Sequence, residues 1–160
     1  MATTQTYSVV ILWLNRSPLS WCTSFSPPKI ECHSCSPPNS DRVHAYLTGT
    51  LRGLECDPLQ VGGVEDHVHI LCGLSRKISL AELIKNLKTS STRIVKGKGH
   101  DAFSWQSGYG AFSVSQSARE SVFSYIAKQE IHHRKINFQD EFRALLTKHG
   151  IRFEEQYVWD

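Results

Sequence analysis

Proline and charge divide this 160-residue chain near residue 41, and that division limits where a folded domain can lie. Residues 1–41 hold five of the six prolines and eight serines, but only four charged residues, Arg16, Lys29, Glu31 and Asp41. Residues 42–160 hold the other 29 charges, 16 basic and 13 acidic, which accounts for the formal charge of +3. The first part therefore reads as loop or disorder around one apolar run, Val9–Leu14 (VVILWL). The second part is long enough to bury a core without a disulfide or metal staple. Five scattered cysteines argue against a secreted disulfide framework and for a reducing cytoplasm. No run of 18 apolar residues exists, so no membrane helix is expected, and Val9–Leu14 lacks the flanks of a signal peptide.

From residue 42 the periodicities are regular. Val43, Tyr46, Leu47, Leu51 and Leu54 recur at helical spacing and predict an amphipathic helix over 42–55. Leu59–Val64 and His67–Leu74 predict two strands joined by a turn at Glu65-Asp66. Ser79 with Glu82 forms a capping box before Leu80, Leu83, Ile84, Leu87 and Ile94, which predicts a helix. Residues 97–110 read as a loop and Ala111–Ser115 as a strand. Ser117 with Glu120 predicts one helix running to about residue 134. Asn137 caps a last helix and Gly150 ends it. Helix, strand, strand, helix, strand, helix gives an α+β sandwich with a mostly antiparallel sheet.

His67-Val68-His69 is the sharpest local feature. On a strand, residues i and i+2 share a face with Cα atoms ~6.6 Å apart, so two imidazoles can meet one ion while Val68 points to the core. Two merely half-exposed histidines would read the same way. Tyr125 and Gln129 stand at i and i+4, one helix face, where a phenol and an amide oxygen can act as nucleophile and ligand; a core tyrosine with a polar neighbour is the plain alternative. His132 and His133 follow, either orienting a phosphate or metal shell or simply solvated. Residues 76–98 carry Arg76, Lys77, Lys85, Lys88, Arg93, Lys96 and Lys98 against Glu82 alone, a net of +6. That suits phosphate contact, or equally a solvated helix face. Trp105, Tyr109 and Phe112 can stack on unpaired bases or close the core. Cys32-His33-Ser34-Cys35 has zinc-like spacing but no second pair, and reads as accidental.

Together these residues resemble the single-tyrosine HUH transposases of the insertion-sequence 200/605 type, with their repeat-associated relatives. The resemblance is carried by VGGVEDHVHIL at 61–71, SLAELIKNLKTSS at 79–91, FSWQSGYGAFSVS at 103–115 and YIAKQEIHH at 125–133. It spans roughly 42–160, which is expected to form the transposase domain. It implies a ferredoxin-like sandwich, binding of single-stranded or hairpin DNA, and a homodimer. It also implies that His67, His69 and Gln129 hold Mg²⁺ or Mn²⁺, that Tyr125 attacks phosphorus to leave a 5′-phosphotyrosine, and that the basic residues of 76–98 meet DNA. A non-catalytic hairpin-binding relic is the alternative.

The chain departs from the resemblance before residue 42. Members of the family begin with a core strand of the type HYHxVFSTKNR, and nothing like it stands here. Another reading frame through Cys22–Ser36 can be back-translated as HFVFSTKNRMPLL, so residues 1–41 read as frameshifted, or else as a divergent disordered arm. Val9–Leu14 is the one β-prone run able to take the vacant strand position, with 16–40 mostly irregular.

Overall fold

The computed structural model describes residues 7–13, 40–64, 67–133 and 136–155. Its elements are β1 (Tyr7–Trp13), α1 (Ser40–Gly53), β2 (Asp57–Val64), β3 (His67–Gly73), α2 (Leu80–Lys96), β4 (Gly110–Val114), α3 (Arg119–Ala127), α4 (Gln129–His133) and α5 (Phe138–Lys148). The strands form one antiparallel sheet in the order β2-β3-β1-β4. This βαββαβ path is the ferredoxin-like arrangement that the family resemblance implies.

The expected rescue strand is present. β1 pairs with β3 from Tyr7 opposite Gly73 to Trp13 opposite His67, and with β4 from Tyr7 opposite Val114 to Ile11 opposite Gly110. It therefore sits between two neighbours, where an uninterrupted apolar β-branched run is at home. Residues 14–39, including the paired prolines and Cys32-His33-Ser34-Cys35, lie outside the described residues.

The alternation of β3 divides the molecule into two layers. Val68, Ile70 and Cys72 pack with Leu47 and Leu51 of α1 and Leu83, Ile84 and Leu87 of α2. Leu71, on the other face, packs with Tyr7, Phe112, Ile126, Phe142 and Leu146. Every residue of β3 is buried because helices cover both faces. His67 and His69 share the side of Leu71, so they lie beneath α3, α4 and α5.

Capping follows the sequence at two helices. Ser79 Oγ accepts the Glu82 amide at 3.2 Å and Asn137 Oδ1 accepts the Asp140 amide at 2.9 Å. Gly150 takes φ +65° after α5, and the amides of Gly150 and Ile151 bond the carbonyls of Thr147 and Leu146, a Schellman closure.

The single helix expected from Ser117 to about 134 is corrected in two places. Ser115, not Ser117, supplies the cap: its hydroxyl accepts the Ala118 amide at 3.3 Å and closes a 3₁₀ turn, Gln116–Ala118. The helix then breaks at Lys128, whose backbone (φ −105°, ψ 16°) leaves the helical region and whose amide bonds the Tyr125 carbonyl, three residues back. Two glycines allow the helices to approach the sheet. A Cβ on Gly62 of β2 would stand 2.8 Å from the Ile126 carbonyl oxygen, and one on Gly110 of β4 would stand 2.6 Å from Phe142 Cε2. Both contacts lie below what side chains tolerate, so glycine there sets how closely α3 bears on β2 and the Phe142 ring of α5 on β4.

Candidate active site

Both imidazoles project from one face of β3, as the period of two requires, with ring centroids 4.9 Å apart. They are fully buried, which excludes the half-exposed alternative. His67 stacks on Phe138 of α5 at 4.5 Å, and His69 meets the edge of Tyr125 at 5.8 Å. The break at Lys128 does not separate Tyr125 from Gln129 in space. Both side chains converge on one oxygen of Glu141: the Tyr125 hydroxyl donates to Oε1, and Gln129 Nε2 donates to the same atom at 3.1 Å.

Glu141 is the residue that the sequence reading missed, and it stands at the middle of the cluster. Its other oxygen, Oε2, lies 2.9 Å from His133 Nε2, 3.5 Å from His67 Nε2 and 3.6 Å from His69 Nε2. His132, partly exposed, places Nε2 3.8 Å from Oε1 and its ring 5.2 Å from that of Tyr125. Neither histidine of the pair is therefore simply solvated. A signal for Glu141 exists in the sequence. Phe138, Phe142, Leu145 and Leu146 form the apolar stripe of α5, and Glu141 falls inside that stripe rather than opposite it.

Burial pushes the Glu141 carboxyl up, but its contacts with His67 and His69 outweigh this and hold it below the usual carboxylate range. Burial lowers His69, and this prevails over the opposing pull of Glu141. A neutral imidazole beside an ionised carboxylate is the protonation state in which both can bind a cation. One ligand atom each from His67, His69, His133 and Glu141 lies within 4.8 Å of the others, a set able to hold a metal ion. Gln129 Oε1 and both ring nitrogens of His69 are buried with no hydrogen-bond partner. Unsatisfied polar atoms of this kind cost about 1–3 kcal/mol each. A cation would engage Gln129 Oε1 and the unprotonated ring nitrogen of His69, the other nitrogen carrying the proton, so the residues present fit a divalent ion.

A cavity of ≈ 820 Å³ opens beside this cluster, between β4, α3 and α5. Phe112, Val122 and Leu145 supply its apolar lining, while His69, Tyr125 and Lys148 supply polar atoms.

The basic segment lies elsewhere. α2 packs on the opposite face of the sheet, so the structure does not bring Lys85, Arg93 or Lys96 to the histidines. These three side chains are exposed and fall at i, i+8 and i+11, one stripe along α2, with Arg76, Lys77 and Lys98 exposed at its two ends. Lys77 pairs with Glu55 at 2.7 Å and Lys85 with Glu82 at 3.7 Å, surface contacts of small energetic weight.

Lys88 departs from the expectation of phosphate contact. Its Nζ donates to the carbonyls of Gln106, Ser107 and Gly108 at 2.7, 3.2 and 2.7 Å and lies 5.9 Å from the Tyr109 ring centroid. All three ammonium protons are thus engaged in holding the loop before β4. Trp105 packs against the core, its Nε1 donating to buried Ser91 Oγ at 2.9 Å, while Phe112 belongs to the core and also lines the cavity. Tyr109 alone of the three is exposed. We expect Lys88→Ala to cost about 1–3 kcal/mol, read by chemical denaturation, because charged hydrogen bonds to the loop are lost. The salt dependence of DNA binding should stay as in the parent chain.

The sequence, compared with models of known families, matches the one described as "Transposase IS200 like" over residues 32–129. The chain belongs to the IS200-like transposase family. That family is one of DNA transposases, and the α+β architecture found here agrees with it. The match begins within the segment preceding residue 42, ahead of the quoted motifs. Among solved structures, a candidate transposase from Deinococcus radiodurans R1 aligns with a TM-score of 0.53 at 16% identity, covering 81% of this chain and 95% of that one. A REP-associated tyrosine transposase bound to a REP hairpin aligns with a TM-score of 0.56 at 9% identity, covering 85% and 73%. At these identities the likeness concerns the fold. No curated protein matches the sequence. Among the described residues no helix is long and apolar enough to cross a membrane.

Proposed function

We propose that this IS200-like transposase cuts and rejoins single-stranded DNA at hairpin-bearing ends, with Tyr125 as nucleophile. The observation that carries this reading is the convergence of the Tyr125 hydroxyl, Gln129, His67 and His69 on one buried point beside an open cavity. Tyr125 attacks phosphorus, its hydroxyl proton passes to a neighbouring acceptor, and the 3′-oxygen leaves. The strand end stays bound as a 5′-phosphotyrosine, and a 3′-hydroxyl reverses the step on the same or a new strand. The bond's energy is conserved in the adduct, so no nucleotide cofactor is required. His67, His69 and Gln129 would hold Mg²⁺ or Mn²⁺. A divalent ion bound there supplies Lewis-acid polarisation of the scissile phosphate.

The exposed stripe of Arg76, Lys77, Lys85, Arg93, Lys96 and Lys98 receives the DNA backbone on the opposite face of the sheet. Hairpin and cut site are then separated by the sheet, and the single strand passes around its edge to the cavity beside Tyr125. His67, His69, Tyr125 and Gln129 meet within one chain; in this reading a homodimer brings two DNA ends together, or lends the tyrosine helix of one chain to the histidines of the other. The transposase domain, expected over 42–160, takes in β1 as well, because without it β3 and β4 have no strand between them. An inactive relic would follow from loss of the first strand, and β1, paired on both edges in that position, supports the enzyme instead.

A single-stranded oligonucleotide with a hairpin and a labelled flank tests the reading. Incubation with Mn²⁺ should cut the flank, leave the blunt duplex of the same sequence intact and stop on chelation. His69→Ala should remove cutting and leave hairpin binding within about twofold. Cutting by His69→Ala at the parental rate would overturn the reading.

A further inference from the structure

We propose that Glu141 is itself a ligand of the divalent ion and couples that ion to Tyr125. The resemblance assigned no role to this residue, and the inference rests on the metal-site reading above. Oε2 stands 3.5 Å from His67 Nε2 and 3.6 Å from His69 Nε2. Those separations exceed N–H···O hydrogen bonds, which run about 2.7–3.2 Å. They lie just outside the edge of a coordination shell: ligands with bonds of ~2.0–2.1 Å stand about 2.9 Å apart in an octahedron and about 3.4 Å apart in a tetrahedron. Three atoms from two elements, β3 and α5, thus gather within 4.8 Å of one another, close enough for a small inward shift to bring them onto one ion.

The rest of the carboxylate's environment agrees. Glu141 is buried, and a buried carboxylate is tolerated only where it is paired. His133 bonds Oε2 and fixes its direction, as partners of a ligating carboxylate do. Oε1 is left to receive the Tyr125 hydroxyl and Gln129 Nε2. One carboxylate therefore faces the ion with one oxygen and the nucleophile with the other. Two imidazoles with a carboxylate form a mixed nitrogen and oxygen set, which first-row divalent ions accept, while Mg²⁺ there would keep several waters.

Titration calorimetry of Mn²⁺ into the metal-free chain tests this without recourse to activity. Glu141→Gln keeps the shape and removes the charge; it should weaken Mn²⁺ binding at least about tenfold. Co²⁺ loaded in place of Mn²⁺ should show altered visible absorption bands in the same variant, because the ligand set has changed. Glu141→Asp keeps the charge but shortens its reach, and should bind Mn²⁺ more weakly than the parent; it decides the matter if Glu141→Gln fails to melt cooperatively. His69→Ala separates the two readings. If it binds Mn²⁺ like the parent, the metal site itself is wrong. If it loses Mn²⁺ while Glu141→Gln and Glu141→Asp keep parental affinity and the parental Co²⁺ spectrum, the site stands and Glu141 is only a hydrogen-bond acceptor.

Discussion

Tyr125→Phe abolishes strand cutting and the covalent protein–DNA band on a denaturing gel: this is the largest expected effect on activity. Phenylalanine keeps the ring against His69 and His132 but carries no oxygen to attack phosphorus. The fall in rate should be on the order of 10⁴-fold or more, as for loss of a nucleophile elsewhere. Stability should change too, since the hydroxyl donates to the buried carboxylate of Glu141. Losing a hydrogen bond to a charged acceptor costs about 1.5–3 kcal/mol. Glu141 retains Gln129 and His133 as partners, so the chain remains folded and the two effects can be read apart. Hairpin binding should persist, because the basic stripe lies on the other face of the sheet. A labelled adduct formed by the Phe variant would remove Tyr125 from its assigned role.

Much of this site can be read in the sequence because its parts obey local periodicities. His67 and His69 share a face through the period of two, and that period also sends Val68 to the opposite core, as found. Tyr125 and Gln129 meet on Glu141 as their spacing implies, although the intervening break at Lys128 does not announce itself. Ile126, just before the break, lies against Gly62 of β2, a contact between segments far apart in the chain. Glu141 was hidden for a related reason. A single acid in an amphipathic helix ordinarily faces water, and only its position within the apolar stripe of α5 says otherwise. Lys88 belongs to the same class: its charge counted toward a basic patch, while three carbonyls from residues 106–108 engage it. The separation of the basic helix from the histidines depends on which face of the sheet each helix covers. Nothing within a single helix records that choice.

The largest expected effect on stability comes from β1. Val10 stands opposite Ile70 on one side and Ala111 on the other, in a strand with a neighbour along each edge. Proline there removes a ladder donor, leaves a carbonyl of the adjoining strand without its partner and forces the backbone apart. The cost should be on the order of 3 kcal/mol or more. For a domain of this size that lowers the melting temperature by roughly 10 °C, or prevents folding where the margin is small. The sheet already contains the informative contrast. Pro58 lies in β2, an edge strand, and beside a register shift, the positions at which sheets tolerate proline. Calorimetry of Val10→Pro should therefore show a large loss, and its Mn²⁺ binding should weaken in parallel, because β1 braces the strand that carries His67 and His69. A melting temperature within about 2 °C of the parent, by the same conversion, would mean that the run Tyr7–Trp13 contributes nothing to the sheet. The case for an inactive relic would then return, since the histidine strand would lack the neighbour that holds its two ligands in register with Tyr125.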